Sequence, residues 1–450
     1  MERLYDGKIF DYTLEGVAKR DYIIVTYYLE DNLEGVDFID HFHKIQEIVL
    51  ECSTGSWIRV KEETEEVREK LSGKLISYFE VPSPRYTKRA VFQLALPTAA
   101  WDLDTNIPMM MLSMAGNVFF FSKRLRILDV SFPESLTKQF SGPKFGVEGL
   151  RKYTGVYDRP FVLHIIKPKM GMTPEQTAEQ VYQTAMGGAD FAKDDEMSSD
   201  VFNCRMEDRL AAVLRAVEKA KKKSGKELIY FVSITTDSDR ILARARKAVE
   251  IGAKGLLVSY PAGFSAIKSL AADPGINVPI LMHPSNMGGL FPTQSCIFLS
   301  KMARISGVDI MLGPSNWGEL QTASLEESIR WTQAARAPLY NLKPMMPMVG
   351  GGAHPGLAEM FMRELGTDIV MAAGGGMLGH PDGYTAGAKA WRQAVDAVIN
   401  NVLIPEAAKN KPELNSAIQF YGYYQRPKTP WFYASPEFIP KLFKDEGTKK

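Results

Sequence analysis

Lys193, Asp195 and Glu196 close the run Gly187-Gly-Ala-Asp-Phe-Ala-Lys-Asp-Asp-Glu196. On a strand, alternation places Lys193 and Asp195 on one face. Glu196 follows at the strand exit, where a loop can turn it back. Two carboxylates at close quarters repel unless a cation sits between them. Oxygen donors of this kind suit Mg²⁺, which usually keeps several water-filled positions. A lysine in such a site loses its proton more readily and becomes nucleophilic. As a free amine it could take up CO2 as a carbamate and become a third anionic oxygen ligand. The spacing alone also fits a surface cluster of salt bridges at a strand end.

A second group lies upstream. Lys167 and Lys169 flank Pro168; one could donate or accept a proton while the other serves as a structural or phosphate partner. Gly350-Gly-Gly352 and Gly374-Gly-Gly376 follow apolar runs. Backbone N–H groups in such turns can hold a phosphate. The alternative is a tight strand-to-helix turn, since glycine tolerates positive φ. Of the six histidines, His283 is the best candidate for acid–base work or substrate binding. His354 and His380 fall at strand ends or just beyond. His164 reads as a satisfied core group, and His41 and His43 as surface residues. No pair has the spacing of a helical zinc site.

These groups need elements to hold them. Apolar runs at Phe161–Ile166, Ala189–Asp195, Ile229–Thr235, Gly255–Ser259, Val278–His283, Val308–Leu312, Met345–Val349 and Asp368–Ala373 read as strands. Most lack the alternation of a half-exposed sheet, as buried parallel strands do. Helical stretches such as 174–186 and 207–223 separate them. Eight such units in this length predict a (β/α)8 TIM barrel over 146–405, and chemistry in that fold sits at the C-terminal ends of the strands. Ahead of it, residues 1–145 hold strand-like runs at 22–28 and 91–96 and a helical pattern over 37–51. They predict an N-terminal α+β domain of ferredoxin-like type. A helical, then irregular tail over 406–450 carries Pro427, Pro430 and Pro436.

Composition bounds the partners. Among 450 residues, Lys plus Arg number 54 and Asp plus Glu 53, a net charge of +1. That balance argues against a nucleic-acid binder. Cys52, Cys204 and Cys296 are far apart and odd in number, which fits no disulfide framework and suits a reducing cytoplasm. The first residues show no apolar signal region. The longest apolar run, 107–121, is too short to span a bilayer.

The motifs together resemble the RuBisCO large-subunit superfamily. Gly187–Glu196 is similar to its metal-site signature, and Ile166-Lys-Pro-Lys-Met-Gly171 to its strand-one motif. Gly374-Gly-Gly-Met-Leu-Gly-His-Pro-Asp-Gly383 resembles its strand-eight motif, and Glu51-Cys-Ser-Thr-Gly-Ser-Trp57 its N-terminal phosphate-side segment. The resemblance implies a carbamylated Lys193 that completes a Mg²⁺ site with Asp195 and Glu196. It implies that Lys167 is the acid–base lysine and that His283 lies near the reacting carbons. One phosphate would lie on Gly352, Gly374 and Gly375 with Ser56 and Trp57. Glu51 and Asn117 would reach across from a partner subunit, which implies a homodimer or an oligomer of dimers.

Departures from the family pattern point away from CO2 fixation. Glu319 stands where a carboxylase carries the loop lysine that stabilises the new carboxylate, and a negative charge there repels it. Pro284 and Leu312 replace the arginine and histidine that hold a second phosphate. The chain is therefore similar to the RuBisCO-like, non-carboxylating branch, with a singly phosphorylated substrate. Decarboxylation, or carboxyl transfer with hydrolysis, of a phosphorylated 3-oxo acid of the 3-oxo-isoapionate 4-phosphate type fits the retained Lys167 and Asn117. Alternatives are the 2,3-diketo-5-methylthiopentyl-1-phosphate enolase and 5-methylthioribulose-1-phosphate isomerase reactions of methionine salvage. That enolase places its base lysine where this chain has Asn117. A non-catalytic sugar-phosphate binding protein is a further alternative.

Overall fold

A computed structural model describes residues 21–32, 38–55, 58–82, 87–100, 106–121, 124–318 and 320–424. The first domain is an antiparallel sheet of β1 (Tyr22–Asn32), β2 (Lys74–Glu80), β3 (Thr87–Pro97) and β4 (Leu125–Ser131) in the order β2-β3-β1-β4. With helices Phe38–Glu51 and Ile107–Ala115 in the two crossovers, this is the ferredoxin-like arrangement. Period-2 burial explains β1: Ile23, Val25, Tyr27 and Leu29 are buried and the residues between them half-buried. The helix Phe38–Glu51 turns Phe42, Ile45, Ile48 and Val49 onto that face. His43 is half-buried, not a surface residue; the side chain of His41 lies outside the described residues.

The second domain is a closed barrel of eight parallel strands. They are β5 (Phe161–Ile165), β6 (Phe191–Lys193), β7 (Ile229–Ser233), β8 (Gly255–Ser259), β9 (Ile280–His283), β10 (Ile310–Leu312), β11 (Met346–Val349) and β12 (Val370–Ala373). All eight fall inside the predicted runs, and seven are shorter than predicted. β5 and β7 are shorter at their C-terminal ends, β9 to β12 at their N-terminal ends, and β6 at both. Inward side chains form one interior cluster that includes Phe161, Leu163, Phe191, Phe231, Leu281 and Met348. Phe161 and Phe191 lie 4.7 Å apart between ring centroids, and Phe191 meets Phe231 edge-on at 5.4 Å. A Cβ on Gly255 would lie 2.7 Å from the Phe231 ring, so this position must be bare for the aromatic layer to fit.

The helix Gly146–Thr154 closes the N-terminal end of the barrel, and its Leu150 joins the interior cluster. Asp309, just before β10, accepts from the backbone N–H groups of Phe145, Gly146 and Ile280 at 2.7 to 2.9 Å. Burial pushes its carboxyl up to about 6, and those three bonds limit the rise. The first domain leans on the barrel through Ile127, which exchanges backbone bonds with Thr293 and Ser295, and through Arg126 on Glu327. The C-terminal stretch forms helices Tyr384–Ile399, Ile404–Ala408 and Pro412–Tyr421. Cys52, Cys204 and Cys296 are buried free thiols. Among the described residues no helix is long and apolar enough to cross a membrane. The proline-rich end of the tail lies outside the described residues.

Candidate active site

Strand β6 supplies the centre. Phe191 and Lys193 point into the barrel, while Ala192 packs outward. Lys193 is fully buried, and its Nζ donates to the Asp194 carbonyl at 2.9 Å. Burial pulls this amine down to about 8, although Asp195 and Glu196 work against the shift. At this level roughly a tenth of the amine is neutral at pH 7. Asp195 is fully buried as well, although its ion-pair partner Lys167 is partly exposed.

Asp194 turns the other way, and spacing did not reveal its partner. Arg209, on the helix Met206–Ser224, holds both Asp194 oxygens at 2.8 to 3.2 Å. Tyr230 donates to the same carboxylate, as does the backbone of Ser233 at 2.8 Å. The guanidinium also donates to the carbonyls of Ser198, Ser199 and Cys204. It thus ties down the loop that follows Glu196. Only a buried arginine on an otherwise amphipathic helix could have signalled this role.

Other strand ends bring the remaining groups. Lys167 donates through Nζ to Asp195, and Lys169 through Nζ to Glu196, with Asp195 Oδ1 3.7 Å from the Lys169 Nζ. The bond to Glu196 raises the Lys169 pKa. Burial holds the Asp195 carboxyl above its ordinary range, while Glu196 lies well below its own because its contacts with Asp195 and Lys169 outweigh its burial. At the end of β9, His283 Nε2 lies 3.6 Å from Glu196 and Nδ1 2.7 Å from Ser285 Oγ. Burial, then the charge of Lys193, holds its pKa at about 3, so the ring is neutral. Ser285 was not expected from sequence.

The glycine runs converge beside this cluster. Gly351 and Gly352 take φ of +96° and +73° after β11. Gly374 starts the short helix Gly375–Leu378 after β12, and a Cβ on it would meet Lys167 at 3.4 Å. A Cβ on Gly376 would lie 1.9 Å from the Ala353 carbonyl, so the two loops touch. Tyr421 braces them, stacking on His354 at 5.6 Å and donating to the Gly375 carbonyl at 2.9 Å. A cavity of about 340 Å³ lies behind the loops, lined by Asn316, His354, Met360 and Tyr421 among others. It borders the glycine turns and includes none of the lysine–carboxylate residues.

Glu51 and Asn117 lie together on the first domain, where Asn117 donates to Glu51 at 3.0 Å. Pro284 and Leu312 are half-buried at the ends of β9 and β10. Ser56, Trp57 and Glu319 lie outside the described residues. His380 donates through Nε2 to the Glu413 carbonyl at 2.8 Å and accepts at Nδ1 from the Asp382 N–H at 3.1 Å, so it is structural.

The donor set fits a hard divalent cation. Among the described residues no three His, Cys, Asp or Glu side chains gather as a ready metal site. Asp195 and Glu196 give two oxygen donors, and ammonium groups balance them. Lys193, whose amine burial holds below its ordinary pKa, lies next to them in the chain.

Comparison with known proteins agrees over the length of the chain. The family described as "Ribulose bisphosphate carboxylase large chain, catalytic domain" matches residues 146–421, and its N-terminal domain matches 11–136. A ribulose bisphosphate carboxylase-like protein from Archaeoglobus fulgidus is 36% identical over 86% of this chain and 89% of its own. A 2,3-diketo-5-methylthiopentyl-1-phosphate enolase from Bacillus licheniformis is 30% identical over 89% and 98%. The crystal structure of a rubisco-like protein from Alicyclobacillus acidocaldarius superposes with a TM-score of 0.81 at 31% identity, covering 90% of this chain and all of that one. The octameric ribulose-1,5-bisphosphate carboxylase/oxygenase of Pyrococcus horikoshii gives 0.81 at 30%, covering 90% and 95%.

Proposed function

The chain belongs to the RuBisCO large-chain family, and from that premise we propose that it is a Mg²⁺-dependent enolate-forming enzyme for a singly phosphorylated, sugar-derived substrate. The observation that carries this reading is the meeting of Lys167, Asp195, Glu196 and buried Lys193 beside Gly374. Asp195, Glu196 and carbamylated Lys193 would hold the ion, which supplies polarisation of adjacent substrate oxygens when bound. Lys169 and Lys167, which neutralise the carboxylates without it, would then turn to the substrate. Gly352, Gly374 and Gly375, with Ser56 and Trp57, would hold the phosphate. Glu51 and Asn117 of a second copy would complete the mouth, so the assembly is a homodimer or a multiple of one.

For a phosphorylated 3-oxo acid, the bond to the carboxylate breaks and CO2 leaves with its carbon. The electron pair stays on the substrate as an enolate. Lys167 delivers a proton to the α-carbon that carried the carboxylate, and His283, neutral and anchored by Ser285, donates or accepts at a neighbouring oxygen. Half-buried Pro284 and Leu312 offer no cation at the distal end, which disfavours a bisphosphate. The methionine-salvage enolase reaction is the second reading, favoured by the enolase of Bacillus licheniformis at 30% identity. Asn117 cannot replace the base lysine of that enzyme.

A substrate panel separates the readings. With Mg²⁺ and bicarbonate, the 3-oxo acid phosphate should release CO2. The diketo phosphate should enolise only on the second reading, and ribulose bisphosphate should fix no CO2. Carboxylation of ribulose bisphosphate at a steady rate would overturn the non-carboxylase reading.

A further inference from the structure

Outside the reacting cluster, one buried polar chain ends on Lys167. His164 faces outward from β5, and Gln180 lies on the helix Pro174–Met186; they are 0% and 4% exposed. Gln180 grips the main chain of Lys167 at two points. Its Oε1 accepts from the Lys167 N–H at 3.2 Å, and its Nε2 donates to the Lys167 carbonyl at 2.7 Å. An N–H needs an acceptor and a carbonyl a donor, so the two contacts fix which end of the amide is oxygen.

That choice propagates outward. Oε1 also faces His164 Nε2 at 3.1 Å, so this nitrogen must carry a proton. Burial holds the His164 pKa at about 3, so the ring is neutral and Nδ1 is bare. Nδ1 lies 3.0 Å from Thr184 Oγ1. The hydroxyl must therefore donate to it instead of to the Gln180 or Val181 carbonyls nearby. The peptide of Lys167 thus dictates every hydrogen bond back to Thr184.

We propose that His164 and Gln180 are positioning residues for Lys167, a two-point clamp that holds the two peptide groups flanking it and so aims its side chain at Asp195. A glutamine alone could swing its amide away; His164 and Thr184 close that escape with bonds that are buried and mutually oriented. The functional meaning rests on the reading of Lys167 as the proton carrier, while the clamp itself does not.

Two measurements on the full chain test it. In protein labelled with ¹⁵N-histidine, His164, assigned by its disappearance in His164→Asn, should show the Nε2-protonated tautomer. The Nδ1-protonated form overturns the proposal. Competitive labelling with acetic anhydride, read peptide by peptide, should then find Lys167 reacting about tenfold faster in Gln180→Leu, the factor for one net hydrogen bond, with Lys169 unchanged. A folded Gln180→Leu protein with unaltered Lys167 labelling overturns it. Should that variant not fold, Gln180→Glu keeps the acceptor for His164 and for the Lys167 N–H but loses the donor to its carbonyl. It should accelerate Lys167 by a smaller factor, and no acceleration overturns the clamp. Neither readout depends on turnover, so a Lys167→Met variant with full activity would overturn the proton-transfer reading alone.

Discussion

The two ends of the barrel handle charge in opposite ways. At the closed end, charges are fixed by main chain. Asp309 sits in three backbone N–H groups, and Arg151 donates to the carbonyls of Val156, Arg159 and Thr367 as well as to Asp368. At the open end, the lysines and carboxylates that face the mouth are fixed by one another: Lys167 by Asp195, Lys169 by Glu196. Main-chain partners cannot move without unfolding, but side-chain partners can be exchanged for a ligand. Stability is concentrated at one end, and replaceable contacts at the other.

The largest effect that would sharpen this contrast is on function alone. Lys193→Met should abolish both Mg²⁺-dependent turnover and uptake of ¹³C-bicarbonate as a carbamate resonance, while stability changes by about 1 kcal/mol or less, since the swap conserves volume. Turnover that survives would remove the carbamate role. At the other end, Asp309→Ala should cost about 3 kcal/mol through three orphaned donors, measured by denaturation, with metal binding retained in the folded fraction. A loss below about 1 kcal/mol would break the contrast.

A pH series isolates Asp309 further. Its folded pKa, about 6, lies above the ordinary 3.8, so its contribution is complete below about pH 4 and is lost as pH rises through 6. The stability of the wild type relative to Asp309→Asn should therefore fall between pH 4 and 6 by up to about 3 kcal/mol and stay flat above. A constant difference would show that the carboxyl is not held protonated. Chelation with EDTA comes next. It should stop turnover without unfolding the protein, because Lys167 and Lys169 already neutralise the carboxylates; circular dichroism before and after is the check. The smallest effect is that of Lys169→Ala. Its side chain is 44% exposed, so stability should change by under about 1 kcal/mol while turnover falls.

The barrel was legible because buried parallel strands leave runs of apolar residues, and every one of the eight lies within such a run. The short ends were not, because residues such as Asp194 and Asp195 belong to the pattern of the strand but bond outside its ladder. β2 and β4 were missed: Lys74-Leu-Ile-Ser-Tyr-Phe-Glu80 mixes charges into a half-exposed strand, and Leu125–Ser131 carries Arg126 and Asp129 on its outer face. The cluster of Lys167, Lys193, Asp195, Glu196 and His283 was legible from residue type and strand position. Gln180, Arg209 and Ser285 were not. A polar residue on an amphipathic helix reads as solvent-facing, and only the fold shows that Gln180 and Arg209 turn inward.

The packed rings of Phe161, Phe191 and Phe231 have one more effect. Phe191 lies one inward position below Lys193 on the same strand, so the site rests on a sealed aromatic floor. It is a well with a single door. Whatever settles deepest must arrive first and depart last, and a large occupant at the rim imprisons everything beneath it until it goes.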